Sequence, residues 1–232
     1  MARLPRLVVP GQAHHLLQRG HNGQAVFADD EDRRLYLSSL QDALRSQGVV
    51  LHAYALLGNE VHLLLRPPSE ASLSRMMQAL GRRYVAAFNR RHGRSGTLWE
   101  GRFRASVVQA GTPTLQCLRL IDSLRVRHGQ APAYQASAWS SAPHRLGRGR
   151  DVLVSDPAEF WQLGNTPFER EAAYAALLDQ GLDEATSRHI EHAASRGWAL
   201  GSPEFLNDVA QLRGRPVRPR ARGRPPLRAP GT

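Results

Sequence analysis

Two apolar runs, residues 49–57 and 60–66, are separated only by Gly58-Asn59. A Gly-Asn pair between strand-forming runs closes a tight turn, so the middle of this chain must be an antiparallel hairpin. A hairpin alone is marginal in water and needs more strands or a helix against its face. The flanking sequence supplies both. Residues 14–18 read as a short strand ending in Arg19-Gly20-His21-Asn22-Gly23, which is turn composition. A helix follows, with Leu35, Tyr36, Leu40, Ala43, Leu44 and Gln47 at three- and four-residue spacing, and Gly48 stops it. After the hairpin, Pro67-Pro68 ends the strand and Ser72 is placed to cap a second helix. The apolar stripe of that helix is Leu73, Met76, Met77, Leu80, Tyr84 and Phe88. Residues 103–109 give a fourth strand.

This βαββαβ order predicts an α+β fold of the ferredoxin-like, split-βαβ kind, an antiparallel sheet with helices on one face. The order says little about function, because that arrangement hosts many activities. A further helix is expected over 112–128, with Pro113 in its first turn. Thr166-Pro167-Phe168-Glu169 is a capping box that opens a set of short helices. The organisation read from these signals is a domain over 1–147, a linker over 148–165, a helical segment over 166–212 and a disordered arginine-rich tail over 213–232.

Charge narrows the partners. The net charge is +11 and every basic residue is arginine; seven arginines and no acid lie in 213–232. Such a chain most often meets nucleic acid. No stretch approaches the roughly 18 apolar residues of a membrane span, so no membrane partner is expected. A single cysteine, Cys117, excludes a disulfide scaffold and a cysteine-based zinc site. The expected location is the cytoplasm.

Chemistry-bearing residues concentrate in three places. On the strand 60–66, Glu60, His62 and Leu64 share one side, so a carboxylate and an imidazole point together and are the candidates to hold one divalent ion. The plainer alternative is a solvent-facing Glu60 beside a partly buried His62. Next, Arg82, Arg83, Arg90, Arg91, Arg94, Arg102 and Arg104 cluster around Trp99 and Phe103, where arginine forks would grip phosphate and Trp99 would offer a stacking surface. Finally, Arg222-Gly223-Arg224-Pro225 resembles the core of an AT-hook, which lies in a narrow minor groove.

The segments LHAYALLGNEVHLLLRPP and RRYVAAFNRRHGRSGTLWEGRFRASVV resemble the REP-associated tyrosine transposases, relatives of the single-tyrosine HUH insertion-sequence transposases. The opening PGQAHHLLQRGHNGQAVFADDEDRRLYL and the closing RGWALGSPEFLNDVAQLRGRPVRPRARGRPP fit as well. The resemblance implies a ferredoxin-like HUH domain. It also implies a His-hydrophobic-His strand that binds Mg²⁺ or Mn²⁺, and a tyrosine on the helix after the fourth strand that forms a covalent 5′-phosphotyrosine. The implied substrate is single-stranded DNA flanking the hairpin of a short palindromic repeat. Arg19, His21 and Asn22 match a further motif that the family places near its substrate.

Carried over residue by residue, the match fails at the chemistry. Glu60 stands at the first metal histidine, and Leu120, Leu124 and Arg125 stand where the family has its tyrosine, asparagine and proline. Cys117, Leu120, Ile121 and Leu124 make one apolar stripe, which buries against a core or a partner. The expected protein is therefore a DNA-binding member without a catalytic residue, with Mg²⁺ or Mn²⁺ held weakly or not at all at Glu60 and His62. Its expected DNA contacts are Arg19, Asn22, Arg90, Arg91, Arg94, Trp99, Arg102, Arg104, Arg222 and Arg224, and a monomer is favoured. The alternative is an active metal-dependent single-strand endonuclease or transposase that uses Glu60, His62 and a non-standard nucleophile. Tyr84 and Tyr54 are the substitutes to weigh, and both read better as packing residues.

Overall fold

The computed structural model describes residues 6–214 and 216–218. Arg222 and Arg224 lie outside these residues. The first part follows the expected order: β1 (Ala13–Arg19), α1 (Asp30–Gln47), β2 (Val50–Leu56), β3 (Glu60–Arg66), α2 (Ser72–Arg91) and β4 (Arg104–Val108). Next come α3 (Thr112–Arg127), α4 (Ala142–Arg145), α5 (Ala158–Trp161), α6 (Pro167–Gln180), α7 (Glu184–Arg196) and α8 (Pro203–Arg213). The four strands pair antiparallel in the order β2-β3-β1-β4, the ferredoxin-like topology. β1 and β3 are therefore central, and the register sets Leu17 opposite His62 and Arg19 opposite Glu60.

Local signals account for most helix ends. The Asp29 side chain accepts the Asp32 N–H, and Gly48 closes α1 at φ 61, a left-handed value that glycine adopts without strain. Thr166 and Glu169 complete the reciprocal box that starts α6. The start of α2 differs from expectation. Ser72 is already the first helical residue, and its hydroxyl pairs with that of Ser69 at 2.6 Å instead of capping the helix.

Side-chain alternation gives the sheet two apolar faces. Leu16, Val61, Leu63 and Leu65 pack under α1 and α2 with Tyr36, Leu40, Met76, Leu80, Tyr84 and Phe88. The opposite face is covered too. Ala53, Ala55, Leu64 and Val108 pack with Cys117, Leu120, Ile121 and Leu124 of α3, and with Ile190 and Ala193 of α7. Both sheet edges are closed by the chain itself. Along β2, Ser155 N–H donates to Leu51 O and Leu56 N–H to Trp139 O, each at 2.9 Å. Along β4, Leu200 N–H donates to Val107 O at 2.7 Å and Leu200 O accepts from Gln109 at 2.8 Å. The stretch 148–165, read from sequence as a linker, thus contributes to the packed body: Val154 and Phe160 are buried and Asp151 accepts from Tyr54 at 2.7 Å.

A buried ionic centre ties the later helices to the sheet. Arg145 on α4 meets Asp122 on α3 at 2.8 Å and Asp156 at 3.0 Å, and it also donates to the carbonyl of His52 on β2. Asp122 further accepts from Ser141 at 2.5 Å and from Tyr174 of α6 at 2.7 Å. The side chains of Arg145 and Asp122 have no exposure to water. Removing one member of a buried pair strands the other's charge, so Arg145→Ala is expected to lower the unfolding free energy by about 3–5 kcal/mol in a denaturant titration. A loss under about 1 kcal/mol, the size seen for exposed pairs, would contradict that role.

His14 on β1 is fully buried; its ring donates to Gln12 O at 2.8 Å and accepts from Val9 N–H at 3.1 Å. Burial pushes its pKa from 6.5 down to about 4, against the opposing pull of the Gln12 carbonyl. The unfolded chain therefore binds the extra proton first, and stability falls as pH drops from 6.5 towards 4. His14→Gln offers a donor and an acceptor without an ionisable ring, and the denaturation midpoint of that variant should vary less steeply with pH over this window. An unchanged slope would count against His14 as the source.

Candidate functional site

One end of the sheet gathers most of the residues singled out in the sequence. The turn after β1, the β2–β3 turn and the loop before β4 meet there. Gly20 N–H donates to Asn59 O at 2.8 Å, His21 N–H to Leu98 O at 2.9 Å and Glu100 N–H to Arg19 O at 2.8 Å. The approach is close at Gly20, where a Cβ would lie 2.1 Å from the Gln24 carbonyl oxygen, so any larger residue would force the turn open. Asn22 takes φ 52, a left-handed value that asparagine tolerates.

On the second face, beneath α3 and α7, Glu60 and His62 point together, with Glu60 Oε1 3.1 Å from His62 Nε2. Both are already engaged. Glu60 Oε2 accepts from Arg19 Nε at 2.7 Å, and His62 Nδ1 lies 2.9 Å from Nε2 of His15. With neutral rings, a single direction of donation satisfies the chain. His15 Nε2–H donates to His62 Nδ1, His62 Nε2–H donates to Glu60, and Arg19 donates to the other carboxylate oxygen. His15 Nδ1 is then a bare lone pair, in keeping with its lack of any partner. Burial would raise the Glu60 carboxyl, but hydrogen bonds from His62 and Arg19 outweigh it and hold the group at about 2. Burial, assisted by His62, lowers the His15 pKa well below 6.5.

These residues do not fit a divalent cation. Both nitrogens of His62 and both oxygens of Glu60 have internal partners, and a guanidinium stands where a cation would have to approach. Among the described residues, no three or more His, Cys, Asp or Glu side chains form a group that could hold a metal ion.

The position that the resemblance gives to a nucleophile is apolar and closed. Leu120 is 0% exposed and Leu124 1%, both in the cluster that α3 buries against the sheet. Arg125 is also buried, donating to the carbonyls of Leu56 and, at 2.8 Å, Gln130. This stripe is core in its own chain, so it offers no surface to a partner. The chain's tyrosines are engaged elsewhere. Tyr36 and Tyr84 lie in the first-face core, with Tyr84 OH on Val26 O at 2.5 Å. Tyr54 pairs with Asp151, Tyr174 with Asp122, and Tyr134 reaches the Leu178 carbonyl.

The candidate DNA residues divide. Trp99 is 7% exposed and packs against Tyr36 and Tyr84, so it offers no open stacking surface. The apolar stripes of α1 and α2 need a large ring between them, and that outweighs surface display. Arg91 is exposed but committed: it holds Asp29 and Asp32 at 2.7 Å and so staples α2 to α1. Arg94 donates to Gln24 at 2.6 Å, which orders the turn beside Asn22. Arg90, Arg102 and Arg104 are exposed, and the side chain of Arg19 is 51% exposed. Two features escaped the sequence reading, the participation of His15 and the cover provided by α7. The alternation of β1 could have put His15 on the face of His62, but only the β1–β3 register makes them neighbours.

Residues 9–119 match the family described as "Transposase IS200 like". Among solved structures, a REP-associated tyrosine transposase bound to a REP hairpin is 13% identical, with a TM-score of 0.55; the alignment covers 68% of this chain and 93% of that one. A protein of Deinococcus radiodurans R1 described as a transposase is 21% identical over 56% of this chain and 98% of that one, with a TM-score of 0.37. No curated protein matches the chain. At 13% identity the first likeness is one of fold. Because Leu120 is a core residue, Leu120→Ala should lower the unfolding free energy by about 2–5 kcal/mol, and a loss below about 1 kcal/mol would mean the position is not packed as described.

Proposed function

We propose that the protein, whose residues 9–119 match the IS200-like transposase family, is a DNA-binding member of it that holds single-stranded or hairpin repeat DNA without cutting it. The observation that carries this reading is the closed nucleophile position. Transesterification at a phosphodiester needs an oxygen nucleophile beside the scissile bond, and Leu120, 0% exposed, has none. Glu60 and His62 are taken up by internal partners, so this reading relies on no metal at that strand. What remains serves binding: Arg19, Arg90, Arg102 and Arg104 are exposed, and the chain carries +11 overall. Guanidinium forks on phosphate give strong, salt-dependent association with little dependence on sequence. Recognition of a hairpin adds shape to that attraction.

The observation that favours the cutting alternative is that Glu60 and His62 do share one face at 3.1 Å. One experiment separates the readings. The protein is incubated with a 5′-extended DNA hairpin and Mn²⁺, then run on denaturing and native gels. Expected are a shifted complex at low salt that weakens steeply as salt rises, and no covalent protein–DNA band. A covalent band would overturn the proposal in favour of the alternative. Failure to shift any DNA at low salt would overturn both.

A further inference from the structure

We infer that Arg19 has taken the electrostatic place of a divalent cation, and that with Arg188, His189 and His192 of α7 it forms a metal-independent site for a phosphodiester. The inference rests on the DNA-binding reading above and extends it by assigning a surface and a source of charge.

The local geometry is that of an anchored cation. Arg19 is tied to Glu60 through Nε at 2.7 Å, and among the described residues its two terminal nitrogens make no hydrogen bond. A guanidinium gripped by its Nε presents its outer fork in a fixed direction, which suits the two oxygens of a phosphodiester. Behind it, the Glu60–His62–His15 chain uses the lone pairs a metal would need. The cationic fork beside the central strands is therefore supplied by the protein, with Glu60 balancing its charge from behind.

The groove in front of Arg19 is built to match. It has a volume of about 650 Å³, opens to solvent, and is lined by Arg19, Arg188, His189, Glu191, His192 and Ser195. Arg188 on α7 is exposed, its Nε donating to the Glu184 carbonyl at 3.3 Å and lying 3.2 Å from that residue's carboxylate, and the one acid of the groove, Glu191, is already paired with Arg127 at 3.2 Å. Arg104 is exposed on the same sheet face, opposite Leu17, and has no acidic partner among the described residues. Charge and donors together fit a strand of sugar-phosphate backbone running between β1 and α7.

The test uses the full chain, a fluorescent 5′-extended DNA hairpin, and anisotropy across a salt series in excess EDTA and then in Mn²⁺. Wild-type affinity should be the same in both within about twofold, and Arg19→Gln and Arg188→Gln should each reduce the slope of log K against log salt by about 0.7–0.9, the value of one phosphate contact. Arg19→Lys, which keeps the charge, should retain most of the slope. Unfolding midpoints of the variants guard against a folding defect, and Arg188→Gln carries the test should Arg19→Gln fail to fold. Loss of binding in EDTA would overturn the inference. So would wild-type slopes in both Gln variants, and that result would leave the DNA-binding reading standing. Absence of wild-type binding in both buffers would instead sink the DNA-binding reading itself.

Discussion

A guanidinium without access to water governs how the second half of this protein sits on the first. Arg145 bridges Asp122 on α3 and Asp156 in the loop after α4, and it donates to a carbonyl of β2. An unpaired charge at that depth would be prohibitive, so these elements must arrive together and in one orientation. Asp122 is the pivot. With it turned toward Arg145 and Tyr174, the neighbouring residues Leu120, Ile121 and Leu124 have the sheet as their remaining outlet. The apolar lid over the second sheet face and the buried ionic centre are thus two sides of one helix.

What the sequence revealed was local. The Gly58-Asn59 turn, the α1 stripe with Gly48 behind it, and the Thr166–Glu169 box all formed where residue spacing placed them, since each depends on neighbours a few positions away. The ferredoxin-like topology followed from their order. What stayed hidden depended on long separations. His15 and His62 are 47 residues apart, and only the register of the two central strands joins them. Trp99 lies in a segment dense with arginine, and composition suggested a surface ring. In the fold it fills the gap between Tyr36 and Tyr84, because an aromatic side chain removed from water outweighs the local bias of charge. The arginine segment itself was legible as charge but not as geometry: Arg91 is spent on Asp29 and Asp32, while Arg104 is left open.

The same distinction applies to the candidate site. The leucine at 120 can be read from one letter. The hydrogen-bonded chain cannot, because it needs Arg19 and His15 as well as Glu60 and His62. From His15 Nε2 to the Glu60 carboxylate each group is answered by the next, with His15 Nδ1 left as a bare lone pair, so the second face carries charge and imidazole next to the core.

That mutual satisfaction bears on how such a chain can change over generations. A histidine at position 60 would strip Arg19 of its carboxylate and leave the guanidinium facing two imidazoles. A tyrosine at position 120 would have to enter a fully buried cluster between α3 and the sheet. Each change alone disturbs groups that the fold already pairs or packs, one at the hydrogen-bonded chain and one in the core. Positions 60 and 120 are therefore constrained by the same face of the sheet, and neither can be altered without a compensating change in its neighbours.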